Sequence, residues 1–143
     1  MTRELDIAKK CAATMLEADA ASRRLGISVE VTRAGQAEAR VEVTADMING
    51  FDVCHGGYIF TLADTAFAFA CNAYDDLTVA GGASIDFLRP ARVGDRLVAV
   101  ATERYRGGRS GVYEVTVSNQ NGEEIAVFTG RSVATREANL SDE

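Results

Sequence analysis

The sequence predicts an α+β fold in which one antiparallel sheet wraps around a single long central helix, with an additional helix at the N-terminus. Two observations predict it. Residues 58–73 are apolar on nearly every side of a helical projection, which is typical of a buried helix. The segments after this helix alternate apolar and polar residues between tight-turn signals, as antiparallel strands connected in order do. Because a curved sheet leaves part of such a helix uncovered, we also expect an obligate homo-oligomer.

The elements follow in order along a single domain, residues 1–143. An amphipathic pattern predicts the N-terminal helix within residues 1–22. Two strands before the central helix and four after it are predicted at 27–32, 40–44, 79–88, 97–105, 112–117 and 125–133. Gly107-Gly108 and Asn121-Gly122 are hairpin-turn signals. The polar residues 136–143 are expected to fray.

Composition and charge exclude several classes of partner. The formal net charge of −6 disfavours binding to nucleic acid or to anionic lipid. The central helix is shorter than the roughly 20 residues that a membrane span needs, so we expect no membrane association. Three cysteines without framework spacing, and a charged N-terminus in place of a signal peptide, predict free thiols in the cytoplasm. One histidine and scattered cysteines give no metal-ligand spacing.

Asp64 is the one carboxylate within the predicted buried helix. A buried charge is costly unless it is paired or hydrogen-bonded, so this position needs an explanation. A stripe of small and polar residues recurs at intervals of three and four and contains Gly57, Thr61, Asp64, Ala68 and Cys71. We expect something polar or hollow to lie against this stripe.

A second candidate region is rich in arginine. Six arginines and two carboxylates between residues 89 and 109 give a local charge of +4 on an acidic protein. This segment suits either a polyanionic small ligand or a solvated hairpin surface.

Two segments, NGFDVCHGGYIFTLADTAFAFACNA (49–73) and SIDFLRPARVGDRL (84–97), resemble the hotdog-fold acyl-CoA thioesterases, closest to those of phenylacetic acid degradation. The similarity extends over roughly residues 25–133, and Asn49, His55-Gly56-Gly57 and Asp64 stand at the family's spacing. The resemblance implies hydrolysis of an acyl-CoA thioester to free acid and CoA. The implied acyl group is aryl-acetyl, such as phenylacetyl or a hydroxylated derivative, or else short. It also implies that no cofactor is needed, since CoA is part of the substrate, and that the chain forms dimers that pair into tetramers.

The resemblance implies a role for each motif residue. The backbone N–H of Gly56 would polarise the thioester carbonyl, and Gly57 would let the substrate approach the helix N-terminus closely. Asp64 would act as general base for water or as nucleophile, and the sequence does not choose between them. Asn49 would offer its amide to the carbonyl or the water, and His55 would orient the loop or the substrate. Because Asp64 lies about 12 Å along the helix from the glycines, it would face the glycine loop of a neighbouring subunit.

CoA contacts are implied near Arg89-Pro90 and at the hairpin residues Gly108, Arg109 and Ser110. One departure concerns the acyl group, because some aryl-specific relatives carry Thr one turn after the carboxylate, where this chain has Ala68. Two alternatives remain open: a non-catalytic acyl-CoA-binding hotdog module, and an acyl-thioester hydratase or dehydratase.

Overall fold

A computed structural model of the chain describes residues 3–140. Within them lie three α-helices, α1 (Arg3–Ala18), α2 (Ala20–Leu25) and α3 (Gly56–Cys71). The strands are β1 (Ser28–Arg33), β2 (Gln36–Glu42), β3 (Asp76–Phe87), β4 (Arg96–Gly107), β5 (Ser110–Ser118) and β6 (Glu124–Ala138). They form one antiparallel sheet in the order β1-β2-β4-β5-β6-β3. The predicted fold class is therefore confirmed, with α3 as the central helix and α1 as the additional N-terminal helix.

The core lies between α3 and the concave face of the sheet. The ring of Phe67 contacts those of Tyr113 and Phe128, with centroid distances of 5.5 and 5.8 Å. Gly130 lies opposite Phe67, and a Cβ added there would lie 2.8 Å from the ring carbon Cε2. The bare backbone at this strand position therefore lets the helix approach the sheet closely.

One side of α3 stays uncovered in a single chain. Tyr58 is exposed, and Thr61, Asp64 and Ala68 are only half-buried. The strand β3 contacts α3 and forms an edge of the sheet, and its residues 79–84 are all exposed. Edge strands carry unpaired backbone groups that can pair with another chain. The open side of the molecule thus contains most of the predicted stripe of small and polar residues.

The N-terminal boundaries differ from the prediction of one helix. The chain leaves α1 at Ala18 and starts a second helix, α2, because the carboxylate of Asp19 accepts hydrogen bonds from the Ser22 N–H at 3.0 Å and its hydroxyl at 2.6 Å. Gly26, with φ of 76°, then ends α2. Helix caps of this kind act over three or four residues and are weak signals in a periodicity count.

The expected fraying from residue 136 is wrong for 136–138, which continue β6 and pair with the start of β3. The side-chain amide of Asn139 donates to the backbone carbonyls of Asn72 and Asp76, both at 3.1 Å, and so ties this end of the strand to the end of α3. Residues 1–2 and 141–143 lie outside the described part of the chain. No helix between residues 3 and 140 combines the length and the apolar character that crossing a membrane requires.

Candidate active site

The N-terminus of α3 presents one free backbone donor. The imidazole Nδ1 of His55 accepts the Gly57 N–H at 3.3 Å, and the His55 carbonyl accepts the Tyr58 N–H at 3.0 Å. The Gly56 N–H has no hydrogen-bond partner within residues 3–140. This end of a helix carries the positive end of the macrodipole. The free N–H of Gly56 is therefore placed to donate to a carbonyl oxygen that acquires negative charge.

Phe87 limits the space around this donor. A Cβ added to Gly56 would lie 3.0 Å from Phe87 Cζ, so a glycine lets the ring pack directly against the helix start. Phe87 is nevertheless 52% exposed. The sequence motifs assign no functional role to Phe87. The approach of its ring to Gly56 depends on the strand's path over α3, which periodicity does not report.

The loop before α3 is held by hydrogen bonds to Asn49. The side-chain oxygen of Asn49 accepts the backbone N–H groups of Phe51 at 2.9 Å and of Val53 at 3.4 Å. The His55 N–H donates to the Met47 carbonyl at 2.7 Å and closes the loop at its other end. Within the described chain, the amide nitrogen of Asn49 has no hydrogen-bond partner. Asn49 therefore combines an oxygen that shapes the loop with a donor that remains free.

Asp64 lies on the open side of α3, two turns after Gly56. Its carboxylate makes no hydrogen bond or ion pair within residues 3–140, so it does not cap a neighbouring backbone group there. Burial raises the pKa of Asp64 above the ordinary value of an aspartate. A half-buried carboxylate without a partner is an energetic cost that the fold of one chain does not offset.

Asp64 and Gly56 do not meet in one chain. Eight residues of straight helix separate them, which is about 12 Å along the axis. Asn49, His55, Gly56 and Gly57 thus form one group at the start of α3, and Asp64 stands apart from them.

The predicted CoA-binding residues also fall into two groups. The Arg89 N–H donates to the Ile125 carbonyl at 3.3 Å, whereas Arg109 Nε donates to the Ala134 carbonyl at 3.0 Å. Nine residues of β6 separate these two anchors, which corresponds to about 30 Å of extended strand. Pro90 accompanies the first group, and Gly108 and Ser110 flank Arg109 in the hairpin. One chain therefore does not bring the two groups together.

The arginine-rich segment does not form one compact positive cluster. Arg89 is paired with Glu123 at 3.5 Å, Arg104 with Glu114 at 3.6 Å and Arg106 with Asp76 at 3.4 Å. These pairs are largely exposed, so each is weak and leaves the guanidinium available to a ligand. Among the described residues, no group of three or more histidine, cysteine or acidic side chains is arranged to hold a metal ion.

Comparison with known proteins shows the family to which the chain belongs. Residues 51–126 match the model of the thioesterase superfamily. The chain is 46% identical to the acyl-coenzyme A thioesterase PaaI of Escherichia coli over 118 residues, which are 82% of this chain and 84% of the relative. The solved structure of E. coli PaaI, from the phenylacetic acid degradation operon, superposes with a TM-score of 0.91 at 42% identity, covering 93% and 96% of the two chains. The Streptococcus mutans protein smu.793, solved with acetyl CoA, superposes with a TM-score of 0.75 at 28% identity, covering 78% of this chain and 90% of that one.

The fold and these likenesses together define a class of protein, the hotdog-fold thioester hydrolases. The chain belongs to the thioesterase superfamily.

Proposed function

We propose that this protein hydrolyses aryl-acetyl-CoA thioesters, phenylacetyl-CoA or its ring-hydroxylated derivatives, at a site shared between two subunits. The observation that carries the proposal is that α3 holds two groups without a hydrogen-bond partner within residues 3–140, the carboxylate of Asp64 and the backbone N–H of Gly56. A thioester needs both, one to deliver the nucleophile and one to hold the oxyanion. The likeness to E. coli PaaI supports CoA as the leaving group and an aryl-acetyl group as the acyl part.

The separation along α3 is the reason for a second subunit. A reacting carbon must lie about 3–3.5 Å from its attacking atom, whereas Gly56 and Asp64 are about 12 Å apart along one helix. A two-fold arrangement in which the open sides face each other puts Gly56 of one subunit next to Asp64 of the other, twice per dimer. The exposed edge of β3 lies on the same side and would be paired in that arrangement. Such dimers pair into a tetramer in our proposal.

In the reaction, Asp64 brings about attack on the thioester carbonyl carbon in one of two ways. As a general base, it takes a proton from water while the water oxygen attacks, the tetrahedral intermediate forms, and the C–S bond then breaks to release CoA. As a nucleophile, its carboxylate attacks directly, CoA leaves, and water hydrolyses the mixed anhydride. Because burial leaves the ionised form of Asp64 less well solvated, its pKa is raised. A raised pKa makes the carboxylate a stronger base in the first route and a stronger nucleophile in the second.

The groups at the start of α3 stabilise the oxyanion in both routes. The Gly56 N–H donates to it, and a donor of this kind contributes about 10²–10³ in rate. The free amide nitrogen of Asn49 donates to the carbonyl or to the attacking water. His55 uses Nδ1 to hold the Gly57 N–H and thus serves as the orienting residue of the helix start.

The CoA moiety binds across subunits in the same way. Because Arg89-Pro90 and the Gly108-Arg109-Ser110 hairpin are about 30 Å apart within one chain, we assign the two groups on one CoA molecule to different subunits. Arginine suits the phosphates of CoA through its planar, bidentate guanidinium. The three buried cysteines are free thiols, which suits an enzyme of the reducing cytoplasm.

Release of CoA thiol from a panel of esters tests the proposal. The panel contains phenylacetyl, 4-hydroxyphenylacetyl and benzoyl esters, and straight chains from acetyl to palmitoyl. We expect the aryl-acetyl esters to be cleaved with the highest kcat/KM, and Asp64→Asn to cleave none of them at a comparable rate. Cleavage of straight chains alone would contradict the acyl assignment, and binding of CoA esters without cleavage of any would favour a non-catalytic binding module.

A further inference from the structure

The strand β4 contains a bulge just before its hairpin with β5. The register of the two strands shifts between Glu103 and Tyr105, where β4 advances by two residues while β5 advances by one. Arg104 is therefore an extra residue in β4, which defines a β-bulge. Side chains in a regular strand alternate between the two faces of the sheet, so Arg104 and Arg106 would share a face without the bulge.

The contacts of the two arginines show that the bulge sends them to opposite faces. Arg104 Nε lies 3.6 Å from Glu114, an exposed residue of β5 on the convex face of the sheet. Arg106 pairs with Gly111 in the ladder, and its guanidinium carbon lies 3.7 Å from the ring centroid of Tyr74, which follows the end of α3. Bulges commonly re-aim a side chain next to a functional site. Here the bulge turns Arg106 towards the face of the sheet that packs on α3.

The surroundings of Arg106 fix the direction of its guanidinium. The plane stacks on the ring of Tyr74. The Tyr74 hydroxyl donates to Glu103 Oε1 at 2.9 Å, and the buried Tyr113 donates to the same oxygen at 2.9 Å. Two phenols thus engage the Glu103 carboxylate and anchor the stacking ring. Because stacking uses the flat surface of a guanidinium, it leaves the N–H donors at the edge available to a ligand.

Arg106 lines a small cleft together with Arg109 and Ser110 of the hairpin. The Arg109 side chain is anchored there, since its Nε donates to the Ala134 carbonyl at 3.0 Å. The lining contains these two guanidinium groups and one carboxylate, Asp76, so its net charge is 2 − 1, or +1. Asp76 lies 3.4 Å from Arg106 Nη2 in a pair that is about half exposed on both sides. Such a pair is weak and uses one of the five guanidinium donors.

We propose that Arg106 binds a phosphate of CoA, in the same subunit as the Gly108-Arg109-Ser110 hairpin, and that Tyr74 is the positioning residue that holds its guanidinium. This inference rests on the proposed function and adds a contact from the arginine-rich segment that the sequence does not assign. Arginine suits this role because its planar fork matches two oxygens of one phosphate. The bulge brings Arg106 to the cleft of Arg109 and leaves Arg104 on the other face.

The test compares two thioesters of phenylacetate with the same reacting centre. One is the CoA ester, and the other is the N-acetylcysteamine ester, which has no phosphate. We expect Arg106→Ala to raise KM for the CoA ester about 3- to 30-fold, between the effect of an exposed ion pair and that of a charged hydrogen bond. Its kcat for the CoA ester and its kcat/KM for the phosphate-free ester should both stay within about 2-fold of wild type.

Arg104→Ala is the matched control, because it removes an exposed guanidinium two residues away on the opposite face. It should leave the kinetics of both thioesters unchanged. An equal loss of kcat/KM for both thioesters in Arg106→Ala would indicate a structural role and overturn the proposal. The same conclusion would follow if Arg104→Ala and Arg106→Ala raised KM for the CoA ester equally.

Two variants of Tyr74 test the positioning role. Tyr74→Leu removes the stacking surface and should raise KM for the CoA ester about 2- to 5-fold, the effect of an exposed cation–π contact, without changing the kinetics of the phosphate-free ester. Tyr74→Phe keeps the ring and loses only the hydrogen bond to Glu103, so its KM should stay close to that of wild type. Equal increases of KM in the two variants would assign the effect to the hydroxyl and contradict positioning by the ring.

Calorimetry with CoA alone separates failure of this inference from failure of the proposed function. Arg106→Ala should bind CoA about 3- to 30-fold more weakly than wild type and Arg104→Ala. A folded Arg106→Ala protein with wild-type affinity for CoA would overturn the inference, whether or not the wild type cleaves phenylacetyl-CoA. If the wild type cleaves no thioester while Arg106→Ala still weakens CoA binding, the proposed hydrolysis fails and the phosphate contact stands.

Discussion

The two halves of the candidate site differ in how completely one chain satisfies them. At the start of α3, nearly every polar group has a local partner: Asn49 holds its loop, His55 holds Gly57, and among residues 3–140 only the N–H of Gly56 and the amide nitrogen of Asn49 lack a partner. Along the open side of α3, the Asp64 carboxylate has no partner within the described residues and carries a raised pKa. The first half is organised by the chain itself. The second half is incomplete in a monomer, which is why we assign it to a shared site.

The largest effect is expected on kcat when Asp64, on the open side of α3, is changed. Asp64→Asn removes the base or nucleophile with little change of shape, and we expect kcat for phenylacetyl-CoA to fall by about 10²–10⁴-fold. The control is Asp52→Asn, which changes an exposed loop aspartate with φ of 62°, a conformation that asparagine tolerates. Asp52→Asn should keep wild-type kcat, and an Asp64→Asn enzyme with most of its activity would remove Asp64 from the mechanism.

A smaller effect is expected at Asn49, where the role in holding the loop can be separated from the role in the reaction. Asn49→Asp keeps the oxygen that accepts the N–H groups of Phe51 and Val53 but replaces the free amide donor by a negative charge. We expect kcat to fall about 10²-fold, the typical cost of one lost oxyanion donor, with Tm within about 2 °C of wild type. Steady-state kinetics and thermal unfolding measure the two quantities. If kcat is unchanged, Asn49 shapes the loop and does not contact the reacting groups.

His55 should affect stability more than chemistry. Removing its cap on Gly57 in His55→Ala should lower the free energy of unfolding by about 1 kcal/mol, and kcat should fall less than in Asn49→Asp. His55→Asn is the matched variant, since asparagine is a preferred N-cap residue, and it should recover the stability in denaturant unfolding. A kcat that stays strongly reduced in His55→Asn would indicate that the imidazole itself takes part in the reaction.

The smallest effect is expected on stability, as a pH-dependent difference in Tm between the wild type and Asp64→Asn. Because the pKa of Asp64 is raised in the folded protein, wild type loses stability as pH rises from the unfolded-state pKa through the folded-state pKa. Asp64→Asn has no such loss. We expect its Tm to equal that of wild type at acidic pH and to exceed it by about 1–3 °C near pH 7. A lower Tm for Asp64→Asn at pH 7 would mean that the carboxylate has a stabilising partner in the assembled protein.

Much of the fold follows from local patterns, which is why the sequence predicts it. The apolar helix, the alternating strands and the Gly107-Gly108 and Asn121-Gly122 turns each act over a few residues and point to the same architecture. The C-terminal end of β6 differs from the prediction because it depends on long-range bonds such as those of Asn139 to the end of α3. The break between α1 and α2 differs because it depends on the local cap at Asp19, which a periodic pattern does not report. The motif also predicts which residues group at the start of α3.

The remaining parts of the site depend on distances across the sheet, and the spacing of residues in the sequence does not report those distances. Arg89 and Arg109 are 20 positions apart in sequence but lie at opposite ends of β6, so the arginine-rich segment does not predict one phosphate site.

The central claim is that each active site combines Gly56 of one subunit with Asp64 of another, and subunit mixing tests it most directly. Gly56→Pro removes the N–H at the first position of the helix, where the backbone tolerates proline, although the exposed ring of Phe87 must move aside for the added ring atoms. Asn49→Asp adds no bulk there and provides a second variant of the same half. Each is mixed with Asp64→Asn after both inactive or impaired proteins are shown to fold. For Gly56→Pro with Asp64→Asn in equal amounts, the account predicts recovery of about a quarter of wild-type kcat, since half the dimers are mixed and each holds one intact site. Mixed oligomers that form but recover no activity would contradict it.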